Sequence, residues 1–352
     1  MGLFLFWVLA SASISPGGEA DSAVSMGLSA RAQSLADASV GLYGDALSVF
    51  YNPAAPAMLT RTEIDLSYQR PYNDISECDR QAMALSVPLI FEVGVPGMSS
   101  SLGTISLSLA RSYNGGIPEA DDLGLTGRQF SDTVWLTEIS YANHIHRLAS
   151  IGISLKTLSH KIDDRAGSGF GMDLGLDWTP KDLTLGFVLK NAISPLIHLG
   201  SEADQANPRF ALGLAYNPWQ FARIILEGEL DSTLSYDGAG GLEILPLTNY
   251  NNLLAIRAGY RLSTKSITAG LGFNFDGPFL DLGYSQHEDL GSGESATIGW
   301  RIAPPPPKKT LDGTTDGNGG TDGVETIPGK DGSGTVPIPG GGSDSSSGSG
   351  GK

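Results

Sequence analysis

Residues 169–178 read Gly169-Phe170-Gly171-Met172-Asp173-Leu174-Gly175-Leu176-Asp177-Trp178. Every even-numbered position is large and apolar, and every odd-numbered one is glycine or aspartate. A period of two belongs to a strand, whose successive side chains point to opposite faces. One face of this strand is greasy and the other small or acidic. The pattern returns in Ile267, Ala269, Leu271, Phe273 and Phe275 set against Thr268, Gly270, Gly272 and Asn274, and again in Phe210, Leu212, Leu214 and Tyr216.

Outward from this stretch, about fourteen such segments can be marked, the first near Thr62 and the last near Ser295. An even number returns both chain ends to one side. Thr179–Asp182 and Asp276–Pro278 then become short turns on the terminal side, while Ser112–Asp132 and Asn191–Pro208 become long loops on the other. Short turns on one side and long loops on the other is the asymmetry of outer-membrane barrels. Ile90–Ser101 is long for its side and Leu262–Lys265 short for its own. Trp135, Trp178, Trp219, Phe279 and Trp300 fall near strand ends, where a lipid–water boundary favours amphipathic rings. A soluble β-sandwich also alternates, so periodicity leaves open whether lipid or a protein core meets the greasy faces.

Of the 352 residues, 47 are Gly and only 17% are charged, a balance unlike that of a disordered chain or a helical enzyme. No run approaches the ~18 consecutive apolar residues of a spanning helix, so any crossing of a membrane falls to strands. The net charge of −16, with no Lys/Arg cluster, excludes nucleic acid as a partner. One cysteine, Cys78, allows no internal disulfide.

Composition divides the chain at residues 22, 60 and 302. Residues 1–22 hold the apolar run Leu3–Ala10 followed by Ser11, Ala12 and Ser13, the makings of a secretory leader without the basic residue that usually precedes it. Residues 23–60 are rich in small side chains, and residues 61–302 carry the strands. Residues 303–352 open on Pro304–Pro307 and continue in Gly, Ser, Asp and Thr, too polar to bury a core and expected to be a disordered periplasmic tail. As a coil its reach is roughly 40 Å.

If the greasy faces meet lipid, alternation turns Asp65, Asp173, Asp177, Lys190, Arg223, Glu227, Glu229, Asp231, Arg257, Arg261 and Asp281 inward. Arg or Lys facing lipid at the midplane costs roughly 2–4 kcal/mol, so inward is where they belong. Asp173 and Asp177, the trio Glu227, Glu229 and Asp231, and the pair Arg257 and Arg261 each share a strand. They either fill the lumen by pairing or line a polar path through it. His144 and His146 have the spacing of two metal ligands but no Cys or carboxylate beside them, so a polar turn is expected there and no metal. Gly-x-Ser-x-Gly, Gly-x-Gly-x-x-Gly, the Walker loop and His-Glu-x-x-His are all absent, which points away from an enzyme and from any cofactor.

Gly27–Leu59, with Ala36-Asp37-Ala38 and Tyr51-Asn52-Pro53-Ala54, resembles the opening of FadL-like outer-membrane proteins, and of their PorV/PorQ branch in particular. Ser168–Gly175, Leu254–Arg261 and Asp281–Ser285 extend the likeness across most of residues 27–302. The resemblance implies an all-β transmembrane antiparallel barrel of fourteen strands whose N-terminal segment folds inward as a hatch, with Asn52, Pro53 and Ala54 at a turn. The PorV/PorQ likeness implies a binding partner of secreted or secretion-machinery proteins in type IX secretion or surface attachment. The wider FadL likeness implies a transporter of hydrophobic small molecules, with an apolar pocket near Phe50, Tyr51 and Met58.

Overall fold

In a computed structural model the chain is described over residues 27–302, apart from 74, 76, 93–98, 123, 201, 247–252, 276 and 289. The expected leader, residues 23–26 and the expected tail lie outside the described residues.

The first strands are β1 (Thr62–Arg70), β2 (Cys78–Glu92), β3 (Ser99–Asp121), β4 (Gly124–His146), β5 (Ala149–Ile162), β6 (Arg165–Trp178) and β7 (Leu183–Ile193). Two short ones follow, β8 (Leu196–Leu199) and β9 (Glu202–Gln205). The rest are β10 (Arg209–Trp219), β11 (Ala222–Asp231), β12 (Tyr236–Ile244), β13 (Leu254–Arg261), β14 (Ser266–Asn274), β15 (Pro278–His287) and β16 (Gly291–Ile302). All but β8 and β9 form one closed antiparallel barrel of fourteen strands; β7 pairs with β10, and β1 with β16. Closure leaves every wall strand paired on both sides over part of its length, and there the ladder satisfies the backbone without water. The chain enters β1 and leaves β16 at the same end, here the terminal rim.

The wall is inside out relative to a soluble sheet. Along β1, Glu63 is 1% exposed and Asp65 0%, whereas Leu66 and Tyr68 are each 46% exposed. The polar face is buried and the apolar face is bare. A sandwich would bury the apolar face, so the alternative left open by periodicity is excluded. Nine residues at about 3.3 Å each, tilted about 45°, rise roughly 20 Å, close to the apolar band of about 25 Å that such barrels present to lipid. Trp135, Trp178, Trp219 and Trp300 face outward as expected. Phe279 does not: it shares the inward parity of Asp281, is buried, and lies 4.6 Å under the Arg301 guanidinium.

Two of the expected loops are something else. Ser112–Asp132 is a continuation of β3 and β4, which stay paired as far as Asp121 and Gly124 and carry the hairpin beyond its neighbours. Alternation is weak there, around Gly115, Gly116 and Gly127, which is why the residues read as loop. Asn191–Pro208 contains the end of β7 and the separate β8–β9 hairpin. At the terminal rim, Ile90–Ser101 shrinks because β2 runs to Glu92 and β3 starts at Ser99.

Barrels of eight strands fill with their own side chains and those of sixteen leave an open channel. Fourteen strands leave a bore that needs a filler. Here it is Gly27–Leu59, the expected hatch, which carries a short helix α1 (Ala30–Ser34) and 3-10 turns at Ala46–Phe50 and Ala55–Met58. Ser29 caps the helix, its Oγ accepting from the Ala32 N–H. Leu35, Ala46, Leu47 and Asn52 are fully buried.

Candidate functional site

The wall is shaped to receive the hatch by removal of side chains at its height. Gly152 faces Gly175, Gly186 faces Gly213, Gly241 faces Gly259, and Gly270 faces Gly283 in register. Each lies on the inner face, and a Cβ there would strike the hatch: at Gly186 it would sit 2.1 Å from the Val40 carbonyl oxygen, at Gly152 2.1 Å from that of Pro53. The hatch backbone therefore rests directly on the wall backbone.

Polar groups of the wall hold it there. Glu227 accepts from the backbone N–H groups of Ser39 (2.7 Å) and Val40 (2.8 Å). Asp65 accepts from those of Ala46 (2.8 Å) and Leu47 (3.2 Å). Asp177 accepts from Asn52 Nδ2 at 2.7 Å, and the same nitrogen donates to the Val40 carbonyl at 3.0 Å. Thr268 Oγ1 takes the Ala36 N–H and donates to the Ser34 carbonyl.

The Asn52-Pro53-Ala54 turn is present, closed by Ala55 N–H to the Asn52 carbonyl (3.1 Å) and tightened by Ala54 N–H to Asn52 Oδ1 (2.9 Å). Proline at the second position pre-sets such a turn. Asn52 does more than turn the chain, since it is the link between two hatch segments and the wall.

The other sequence-chosen residues part company. Glu227 serves the hatch; Glu229 pairs with Arg209 (3.4 Å) and Arg261 (3.9 Å); and Asp231 caps its own β11–β12 turn, accepting from the N–H groups of Thr233 and Ser235. The three share a face without forming one path. Arg257 joins Glu243 (2.9 Å) and Asp281 (2.5 Å) near the terminal rim, while Arg261 reaches Asp237 and the Ala36 carbonyl nearer the opposite rim. Asp173 binds Lys156 (2.7 Å) and the Asn191 N–H (2.6 Å). Glu63, Glu243, Lys156 and the hatch's own Arg31 were not singled out, although alternation with Asp65 carries a signal for Glu63. His144 and His146 are exposed at the end of β4, and among the described residues no cluster of His, Cys, Asp and Glu is arranged to hold a metal.

Within the hatch, burial pushes the Asp37 carboxyl up, against the opposing pull of Arg261, Arg80 and Lys190. Burial likewise raises Tyr51, whose hydroxyl oxygen accepts from the Leu28 N–H at 2.8 Å.

Charged side chains border the spaces beside the hatch, together with apolar ones. One of about 260 Å³ near the terminal rim is lined by Arg31, Arg223, Glu243, Arg257 and Asp281, another of about 300 Å³ by Met58, Glu63 and Arg301. A smaller one of about 70 Å³ includes Asp37, Arg80 and Arg261. Among the described residues Phe50, Tyr51 and Met58 do not line one open space as expected: Met58 borders the 300 Å³ space, and Phe50 and Tyr51 are packed into an apolar cluster with Leu28, Leu136, Leu158 and Ile197.

The fold has counterparts among solved structures. A FadL homologue of Pseudomonas aeruginosa superposes with a TM-score of 0.55 at 11% identity, covering 78% of this chain and 98% of that one. The fold is FadL-like. The toluene transporter TodX of P. putida gives 0.54 at 12% identity over 78% and 99%, and the Ralstonia pickettii toluene transporter TbuX 0.51 at 11% over 77% and 98%. No protein-family model and no curated protein matches the chain.

Proposed function

We propose that the protein is a non-catalytic outer-membrane channel that admits hydrophobic small molecules past the hatch, with the terminal rim and the tail in the periplasm. The observation that carries this reading is how the hatch is attached. It contributes no strand to the barrel, and side chains such as Asp65, Asp177, Glu227 and Thr268 bind it to the wall. It can shift without breaking a ladder bond, which is what a gate requires. The bare apolar wall supports residence in a membrane, and the FadL-like fold, shared with proteins described as toluene transporters, supports the cargo class. The secretion or attachment role implied by the PorV/PorQ likeness takes second place, since the comparisons favour transport.

The test is uptake of labelled toluene by proteoliposomes containing the purified full chain. Uptake above that of protein-free vesicles, with no protein partner on gentle extraction from the native membrane, is the expected result. No uptake, together with a stoichiometric protein partner, would return the secretion reading.

A further inference from the structure

After Ile193 the wall is interrupted. β6 and β7 stay in register only as far as Met172 and Ile193, with a shift between Met172 and Leu174, so the upper part of β6 has no β7 beside it. The chain turns into the lumen instead. Gly167, Gly169 and Gly171 have the inward parity of Asp173, and a Cβ on them would meet the His198 carbonyl oxygen at 2.3 Å, Leu196 at 2.7 Å and Pro195 at 2.6 Å. The β8–β9 hairpin thus lies against the inner face of β6. Ile197 and Ala206 are fully buried, while Leu196 on the alternate face is 44% exposed.

What the hairpin covers is an apolar storey of the inner wall. Register sets Ala82, Ala110, Leu136, Leu158 and Gly169 side by side across five strands. The storey below is polar, with Ser108, Glu138 and Lys156 in the same order. Ile197 and Ala206 belong to one contiguous cluster with Leu136, Leu158 and the hatch's Leu28, Phe50 and Tyr51. The apolar seat exists, and the protein's own hairpin occupies it.

Asn191 anchors the base of the hairpin. Asn191 has φ +55° and is fully buried; its N–H donates to Asp173 and its Nδ2 to the Asn207 carbonyl at 2.8 Å. Between the two strands and the barrel wall no ladder forms.

We propose that the β8–β9 hairpin is an occluding strap, and that an uncharged apolar small molecule takes the seat of Ile197 against Leu136 and Leu158 when the strap swings out. The inference rests on the channel reading for its cargo and adds an outer gate, in series with the hatch, that pivots at Asn191. Asp173 and Lys156 act on the strap and do not touch cargo.

The experiment uses the full chain in lipid nanodiscs with Cys78→Ser and Leu158→Cys, so that the only thiol lies under the strap, and follows its labelling by N-ethylmaleimide. Asn191→Gly keeps the left-handed backbone but removes the Nδ2 bond. If the strap is seated nine-tenths of the time, freeing it completely raises labelling by about tenfold. Slow labelling in the parent, faster labelling with Asn191→Gly, and protection of that variant by toluene are expected. Equal labelling in both, or no effect of toluene on Asn191→Gly, overturns the strap. If Leu158→Cys fails to assemble, Leu136→Cys gives the same readout. Toluene uptake with unchanged labelling would sink the strap and spare the channel; the expected labelling without uptake would do the reverse.

Discussion

Replacing Asn52 by alanine removes three hydrogen bonds from a fully buried side chain. The bond to Asp177 is charge-assisted and contributes roughly 2 kcal/mol; those with Val40 and Ala54 contribute about 1 kcal/mol each. The loss is about 4 kcal/mol, or roughly a thousandfold in the seated-to-unseated ratio of the hatch. It falls on the hatch because Asn52 ties two hatch segments to the wall, and among the described residues Asp177 Oδ2 has no hydrogen-bond partner, so the carboxyl is left without one. The barrel ladder is untouched. Asn52→Ala should therefore keep the folded, heat-modifiable migration of the barrel on gels, while residues 27–59 become sensitive to protease and conductance in planar bilayers rises. Asp177→Asn in the same background should recover much of the loss, since it removes the stranded charge. A variant with parental protease resistance and conductance would refute the assignment of Asn52 as the pin of the hatch.

Gly213→Val should also unseat the hatch, because its Cβ would fall 2.3 Å from the Gly41 nitrogen; Gly228→Val, with nothing within 4 Å, is the inert control in the same protease assay. Leu66→Arg, on the bare face in the middle of β1, should cost roughly 2–4 kcal/mol for insertion into lipid vesicles; unchanged insertion would argue against lipid contact there. Asp37→Asn tests pH dependence. Because burial raises the Asp37 carboxyl, its contribution to hatch stability is fully present below the ordinary carboxylate range and declines as pH rises through the raised value. Asparagine tolerates the left-handed backbone at φ +61°, so the variant should gain on the parent as pH rises through that window, read as protease resistance of the hatch; a constant difference would show that Asp37 does not titrate there.

The division between what could be read early and what could not follows from the range of the forces involved. Alternation is local: Phe170 and Asp173 lie on opposite faces of any strand, whatever surrounds it, and this determined the strands, their number and the inward direction of Asp173, Asp177, Glu227 and Arg257. It failed where the local signal is weak, in the glycine-interrupted β3–β4 extension, and where parity was not applied, at Phe279. The partners of those inward charges are another matter. Asp177 meets Asn52 across 125 residues and Glu227 meets Val40 across 187, and nothing along the chain marks either pair. The strap is a similar case: Gly167, Gly169 and Gly171 announce a missing side chain but not what fills the space. Sequence by itself determined a barrel with a polar, small-residue interior. Only closure of the barrel, which brings distant strands to the same height, decided that the hatch sits on facing glycines and that Ile197 fills the apolar seat, since contact between backbones depends on register in three dimensions and leaves no period in the chain.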